Sequence, residues 1–282
     1  MLKIAIEKKL HGAGGAMNLC VDLEIKEGTF IAIAGESGSG KTTLLRILAG
    51  LEKAEGRIEI GGECWMEGRY SMPVQHRKIG FVFQDYALFE NMTVEENLLF
   101  VENDKVLAEQ LLEMTELFSL KARMPGTLSG GQKQRVALCR AMMKKPALLL
   151  MDEPLSALDP AMRQKLQQEI STLHKTFGTT TLMVSHDPSE IYRLADRVVL
   201  IEKGAIVADG TPKDILLQTQ GSQKFSFEGE LLDITKVDVI YVAVVSIGQQ
   251  LVEVVVSSQE AAALRIGARV RVSTKAFAPM IV

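Results

Sequence analysis

Gly35-Glu36-Ser37-Gly38-Ser39-Gly40-Lys41-Thr42 decides the fold. The eight residues fit G-x-x-x-x-G-K-[ST] and stand between an apolar run, Phe30–Ala34, and an amphipathic stretch, Thr42–Leu51. A strand, a glycine loop and a helix in that order make a phosphate-binding loop. Glycines let successive backbone N–H groups turn inward around an anion, and the helix start adds the positive end of its dipole. On this reading Gly35, Glu36, Ser37, Gly38, Ser39 and Gly40 form the cradle. Lys41 reaches the outer phosphates of a bound nucleotide, the Thr42 hydroxyl ligates Mg²⁺, and Thr43, next on the helix start, belongs to the nucleotide-binding set.

Outward from the loop, Ile79–Phe83, Ala147–Met151, Thr180–Ser185 and Arg197–Glu202 read as buried strands, continuous in apolar character as parallel strands are. Thr93–Leu120 is helix-rich, with Thr93 and Glu96 spaced as a capping box. Alternation of strands and amphipathic helices over the first ~220 residues predicts an α/β fold of the P-loop NTPase kind. The run ending at Met151 is followed by Asp152 and Glu153. A buried strand rarely ends in two carboxylates without a partner for the charge. Asp152 suits the metal, and Glu153 suits polarising an attacking water.

A second glycine element, Leu128-Ser129-Gly130-Gly131-Gln132, opens another helix. Ser129 and the amides of Gly130, Gly131 and Gln132 can cradle a γ-phosphate. The chain already has one phosphate loop, so the second cradle points to the nucleotide of another copy. That predicts a head-to-tail dimer with two ATP at its interface.

With these motifs the chain closely resembles the nucleotide-binding subunits of ABC transporters over about residues 1–220. Leu128–Gln132 matches the family signature, Ser156-Ala157-Leu158-Asp159 the D-loop, Val184-Ser185-His186-Asp187 the switch histidine, and Phe83-Gln84-Asp85 the Q-loop. The resemblance implies ATP and Mg²⁺ as cofactors. It implies that Gln84 senses the metal and the water and links the site to a membrane partner. It places His186 on the γ-phosphate, and Asp159 between the two subunits. The family usually stacks an aromatic on the adenine ahead of the glycine loop; here only His11, in Lys9-Leu10-His11-Gly12, stands in that stretch.

Gln84 and Leu128 are too close for the coiled coil of chromosome-maintenance relatives, and a single ATPase domain departs from translation-associated ones. Gln84–Phe89 and Asn91–Val94 resemble the region where importer ATPases receive a permease, with Glu90 where proline is usual. The implied partners are a second copy, an integral membrane permease and, indirectly, a solute-binding protein. A soluble regulatory ATPase not coupled to transport is the alternative.

Composition fits. Hydrophobic residues are 47% and charged residues 24%, a globular balance, and the formal net charge of −3 offers no general attraction to nucleic acid. No run approaches the ~20 apolar residues of a membrane span. Cys20, Cys64 and Cys139 are scattered and read as reduced thiols. The expected location is cytoplasmic, peripheral on the inner face of the cell membrane.

Two domains are expected: an ATPase domain over 1–222, with a helical subdomain at about 87–140, and a small all-β domain over 223–282. Thr219–Gln223 reads as a linker. Phe227–Ile234, Asp238–Ile247, Leu251–Ser257 and Arg269–Ser273 read as strands, and Ser258–Leu264 as a short helix. The closing run from Leu264 to Val282 is similar to the end of the TOBE/Mop-like module of molybdate/tungstate importer ATPases. The solute expected on that resemblance is molybdate or tungstate, with sulfate, iron, phosphate or sugar as alternatives.

Overall fold

The computed structural model describes residues 1–12, 15–156, 158–216, 223–237, 240–247 and 250–275. The chain divides into two compact units, Met1–Leu217 and Gln218–Val282. The first unit opens with β1 (Leu2–Gly12) and β2 (Gly15–Ile25), paired antiparallel. Leu2, Ile4 and Ile6 are buried between exposed Lys3, Ala5 and Glu7, the period-two alternation of a one-sided sheet. β3 (Phe30–Ala34), buried throughout, runs into the glycine loop and then α1 (Lys41–Ala49). β4 (Glu55–Ile60), β5 (Glu63–Glu67) and β6 (Tyr70–Ser71) extend the antiparallel side, and β7 (Ile79–Val82) follows. Next come α2 (Val94–Leu99), α3 (Lys105–Met114) and α4 (Gly130–Met142). The unit closes with β8 (Leu148–Asp152), α5 (Pro160–Phe177), β9 (Thr180–Val184), α6 (Pro188–Leu194), β10 (Arg197–Glu202), β11 (Ala205–Gly210) and α7 (Pro212–Leu216).

These strands form one sheet in the order β6-β5-β4-β1-β2-β11-β10-β3-β9-β8-β7. The last five are mutually parallel. Their carboxyl ends therefore share one edge, where open parallel sheets bind ligands. The phosphate loop leaves β3 there, Asp152 ends β8, His186 follows β9 and Gln84 follows β7. Alternate residues of β8 serve two cores. Leu148 and Leu150 join α1 and the antiparallel strands, while Leu149 and Met151 join the helices α2 to α5.

One buried cation ties the two halves of the first core. The Arg77 guanidinium donates to Ile47 O (3.1 Å) and Leu48 O (2.7 Å) at the end of α1, to Met72 O (3.1 Å), and to Trp65 O (3.3 Å) and Ser71 Oγ (3.1 Å). It also lies 5.6 Å from the centre of the Trp65 ring. Its five N–H groups have five acceptors, which burial of an arginine requires. Gly50 makes room: it ends α1 at φ 77°, and a Cβ there would lie 2.8 Å from Arg77 Cζ. The helix expected over Thr42–Leu51 therefore starts at Lys41 and stops at Ala49.

In the second unit β12 (Gln223–Val237), β13 (Ile240–Ile247), β14 (Gln250–Val256) and β15 (Arg269–Lys275) form an antiparallel sheet in the order β14-β13-β12-β15. Between β14 and β15, α8 (Ser258–Ala263) starts with a capping box of Ser257 and Glu260. The core is small: Leu231, Ala243 and Val245, with Ile234, Val254, Val256, Leu264, Val270 and Val272 packed against them. Of the linker expected over Thr219–Gln223, Gln223 begins β12 and residues 219–222 lie outside the described residues, as do residues 276–282 of the closing run.

Candidate nucleotide-binding site

The glycine loop has the backbone its sequence demands. Gly35, Gly38 and Gly40 have φ of 140°, 80° and 102°, values that side chains disfavour. A Cβ on Gly35 would sit 2.0 Å from Ile201 O, so the loop lies hard against β10. Gly40 is the residue before α1 and brings no side chain to cap it, and no acidic residue stands in the first turn. The first amides of α1 are left to an incoming anion. Lys41 is buried and folded onto the loop, its Nζ donating to Gly35 O (2.8 Å) and Glu36 O (2.7 Å). Burial draws this ammonium below the usual lysine range, and the Glu153 and Asp152 carboxylates oppose the shift. Ser39 is buried under the loop, while Glu36 and Ser37 are exposed on it.

Across from the loop, Thr42 Oγ1 donates to Asp152 Oδ1 at 3.0 Å. Burial raises the Asp152 carboxyl above the usual range, against the Thr42 hydrogen bond that lowers it. Residues 42 and 152 thus stand ready as a hydroxyl and a carboxylate around one point, the donor set of a hard cation such as Mg²⁺. Among the described residues there is no cluster of three His, Cys, Asp or Glu side chains of metal-holding geometry. A cation here would complete its shell with phosphate oxygens and water. Glu153 turns away from Asp152 at φ 46°, a left-handed backbone that an L-residue keeps only under constraint. Its N–H donates to Val184 O (3.1 Å) and its carbonyl accepts from Ser156 Oγ (3.1 Å). Glu153 Oε1 lies 3.5 Å from His186 Nδ1, and the His186 side chain is 68% exposed.

Glu153, Ser37, Gly38, Gly40 and Lys41–Thr43 line a cleft of about 550 Å³ that extends to Lys8, Leu10, Met17 and Glu52. Leu10 and Met17 are cross-strand partners in the β1–β2 ladder, so the apolar wall of the cleft is aliphatic. His11 pairs with Ala16 in the same ladder, and its side chain lies outside the described residues.

The second glycine element sits elsewhere. Ser129 starts α4 with a reciprocal box: Ser129 N donates to Gln132 Oε1 (2.9 Å) and Gln132 N to Ser129 Oγ (3.3 Å). Ser129 and Gly130 are exposed. Gly131 is not: it is buried, and a Cβ there would be 2.6 Å from Met162 Cγ, so this glycine makes room for α5 rather than facing outward. None of Ser129, Gly130, Gly131 or Gln132 lines the cleft of their own chain. Asp159 starts α5 by accepting from Met162 N (3.0 Å), and Gln84 is exposed on the turn after β7. Ala157 of the D-loop match lies outside the described residues.

Known proteins share this arrangement. A profile described as ABC transporter matches residues 20–156. A probable sulfate/thiosulfate import ATP-binding protein CysA of Chlorella vulgaris is 44% identical over 205 residues, 69% of this chain and 85% of that one. The chain belongs to the ABC transporter ATP-binding family. CysA 2 of Agrobacterium fabrum, a sulfate/thiosulfate import ATP-binding protein, is 44% identical over 221 residues, 74% of this chain. The Fe(3+) ions import ATP-binding protein FbpC 2 of Rhizobium meliloti is 47% identical over 204 residues, covering 69% of this chain and 51% of its own length. The chain spans 64% and 62% of the two CysA 2 proteins of Agrobacterium fabrum and Rhizobium meliloti. Among solved structures, a dimeric post-hydrolysis state of the ATP-binding cassette MJ0796 bound to ADP and Pi has a TM-score of 0.64 at 30% identity. The match covers 75% of this chain and 99% of that one.

Several residues that shape this ABC cassette escape a reading by motif. Leu10 and Met17 become cleft wall only once β1 and β2 pair; the alternation in β1 was the available signal. Asn97 is buried and donates to Phe89 O, Met92 O and Thr93 O while accepting from Phe89 N, fixing the loop beyond Gln84. Arg135 and Glu169 pair at 3.0 Å between α4 and α5, both buried. Burial pushes the Glu169 carboxyl up to about 7 despite Arg135. No local pattern announces such pairs, because their partners are distant in sequence.

Proposed function

We propose that the chain is the ATP-hydrolysing subunit of an importer, working as two copies on a separate membrane permease at the inner face of the cell membrane. One observation carries the reading. Thr42–Asp152 and Glu153–His186 stand on one sheet edge beside an uncapped helix start, while a second, exposed helix start at Ser129 lies outside that cleft. A cleft with one phosphate end, and a spare phosphate end elsewhere, is complete only in a pair.

In the pair, Ser129 and the Gly130 and Gly131 amides of one copy meet the γ-phosphate held by the other, while the missing Gly131 side chain lets α5 pack close. Lys41 leaves the carbonyls of Gly35 and Glu36 to reach the outer phosphates. The α1 amides offset charge that develops on them. Glu153 orients the water and takes its proton as the water oxygen bonds phosphorus and the bond to ADP breaks. His186 donates to the γ-phosphate. Thr42 and Asp152, with Gln84, would hold Mg²⁺, which would supply neutralisation of phosphate charge. Gln84 and the loop after it pass the movement to the permease. The second unit serves as the small regulatory or dimer-stabilising module, and a solute-binding protein delivers cargo to the permease.

For the solute, the relatives quoted are named for sulfate/thiosulfate and Fe(3+), and none for molybdate or tungstate. We therefore place sulfate or thiosulfate ahead of the molybdate or tungstate expected from the closing run. Cells carrying or lacking the chain, given labelled sulfate, thiosulfate, molybdate and Fe³⁺ in turn, decide the solute by which uptake is lost. Glu153→Gln tests the chemistry: the variant is expected to bind ATP, lose about a hundredfold or more in turnover, and accumulate as an ATP-bound dimer in size-exclusion chromatography. Wild-type turnover in that variant removes Glu153 from the mechanism.

A further inference from the structure

His186 is held in place from outside the cleft. Among the described residues its ring has one polar contact, the 3.5 Å approach to Glu153, so its position follows from the backbone on either side. On one side Ser185 N donates to Ile33 O (3.3 Å), and Ser185 Oγ donates to Glu190 Oε2 at 2.6 Å and accepts from Asp187 N at 3.1 Å. On the other side Asp187 caps α6, its Oδ1 accepting from Ser189 N (2.8 Å), Ser189 Oγ (2.7 Å) and Glu190 N (3.3 Å).

The remaining Asp187 oxygen, Oδ2, accepts from Arg163 Nη1 at 3.2 Å. Arg163 comes from the first turns of α5. Its Nε lies 3.5 Å from Glu190 Oε1, and its Nη2 donates to Leu158 O at 3.4 Å. Its own N–H donates to Asp159 O (2.8 Å). One planar cation thus spans three segments: the turn at Leu158–Asp159, the loop carrying His186, and the first turn of α6. Arginine suits this because its fork is rigid and its donors diverge. Arg163, Asp187 and Glu190 share a polar niche of about 40 Å³ with Glu153, Ser156 and His186.

We propose that Arg163 is a positioning residue: it ties the Leu158–Asp159 turn to Asp187 and so sets His186 against Glu153. The proposal rests on the reading of the chain as an ATPase that pairs with its own copy. A push on the exposed Asp159 turn by a partner then reaches the loop carrying His186 through the Arg163 side chain.

The test uses the purified full-length chain. Arg163→Ala is expected to lower kcat about tenfold while leaving KM for ATP within about twofold, since misplacing one group costs rate rather than ground-state binding. Arg163→Lys recovers part of the loss, because an ammonium cannot serve all three segments. Asp187→Asn, which keeps the side-chain shape, reproduces the Arg163→Ala loss. In a His186→Ala background, Arg163→Ala adds less than about twofold, the non-additivity of residues acting as a unit. A kcat within twofold of wild type, or a full multiplicative loss in the His186→Ala background, overturns the proposal. Hydrogen exchange of the nucleotide-free protein gives a readout that needs no hydrolysis. The Asp187 amide is expected to exchange several-fold faster in Arg163→Ala, and an unchanged rate overturns the tie. Should the wild-type chain hydrolyse no ATP, the proposed function fails and the exchange rates alone decide whether Arg163 holds the loop.

Discussion

Helix α1 begins behind Gly40, which has no side chain to offer, whereas α4 begins behind Ser129, whose hydroxyl and amide are both engaged by Gln132. Both starts are glycine-rich, and both read from sequence as anion cradles. In the fold they differ in how their hydrogen bonds are met. The start of α1 leaves its amides open, bends its loop through three positive-φ glycines, and keeps a lysine folded close by. The start of α4 meets the Ser129 and Gln132 amides with its own side chains, and Ser129 and Gly130 lie exposed. The first is prepared for a ligand of its own chain. The second carries its own cap through Ser129 and Gln132, which leaves the Gly130 and Gly131 amides for an anion.

The sharpest way to break this comparison is to disable each start in turn. Lys41→Ala is expected to weaken ATP binding by the single chain and reduce hydrolysis by about a hundred- to a thousandfold, as loss of a preorganised cationic donor does. Ser129→Ala should leave binding of a fluorescent ATP analogue to the single chain unchanged. Hydrolysis should fall about tenfold, with about 1 kcal/mol of stability lost from the missing cap. Equal loss of single-chain binding in the two variants would erase the distinction. Gly131→Ala probes the packing half of the second start. The new methyl meets Met162, so about 1–3 kcal/mol of stability should go. Met162→Ala in the same chain should restore part of it in a denaturant titration.

The smallest effect concerns the brace between α4 and α5. Glu169 is raised in the fold to about 7 from an ordinary value of 4.5. The folded chain therefore keeps a proton, between pH 4.5 and about 7, that the unfolded chain releases. Stability contributed by this group is present below pH 4.5 and is lost as pH rises through that window. From pH 5.5 to 8 the wild-type thermal midpoint should fall a few degrees further than that of Glu169→Gln. A parallel fall in both proteins would show that Arg135 holds the carboxylate ionised throughout.

Much of the first unit was legible because its strands are fully buried. Phe30–Ala34 and Arg197–Glu202 are the observed β3 and β10 residue for residue, and the other buried runs match β7, β8 and β9 to within a residue or so at their ends. Continuous apolar runs bounded by glycine and charge have few other uses. The Thr93–Glu96 box is formed as well. What stayed illegible depends on pairing across the chain. β4 and β6 carry few apolar residues and β5 is only five residues long, so none declares itself, yet Trp65 within β5 is buried against Arg77. The glycine pair at 130 and 131 reads as a uniform cradle, and only the approach of Met162 tells one glycine from the other. Arg163 looks like an ordinary surface residue of an amphipathic helix. Its role needs the loop after β9 to fold back beside α5.

Arg77 has a mechanical consequence. Its bonds to the last carbonyls of α1 and to the strands around Trp65 fasten the far end of the phosphate helix to the antiparallel side of the sheet. A nucleotide that draws on the near end, at Gly40, cannot rotate α1 by itself. The far end of α1 and β5–β6 are thereby joined, so a pull at Gly40 is carried to the strands around Trp65.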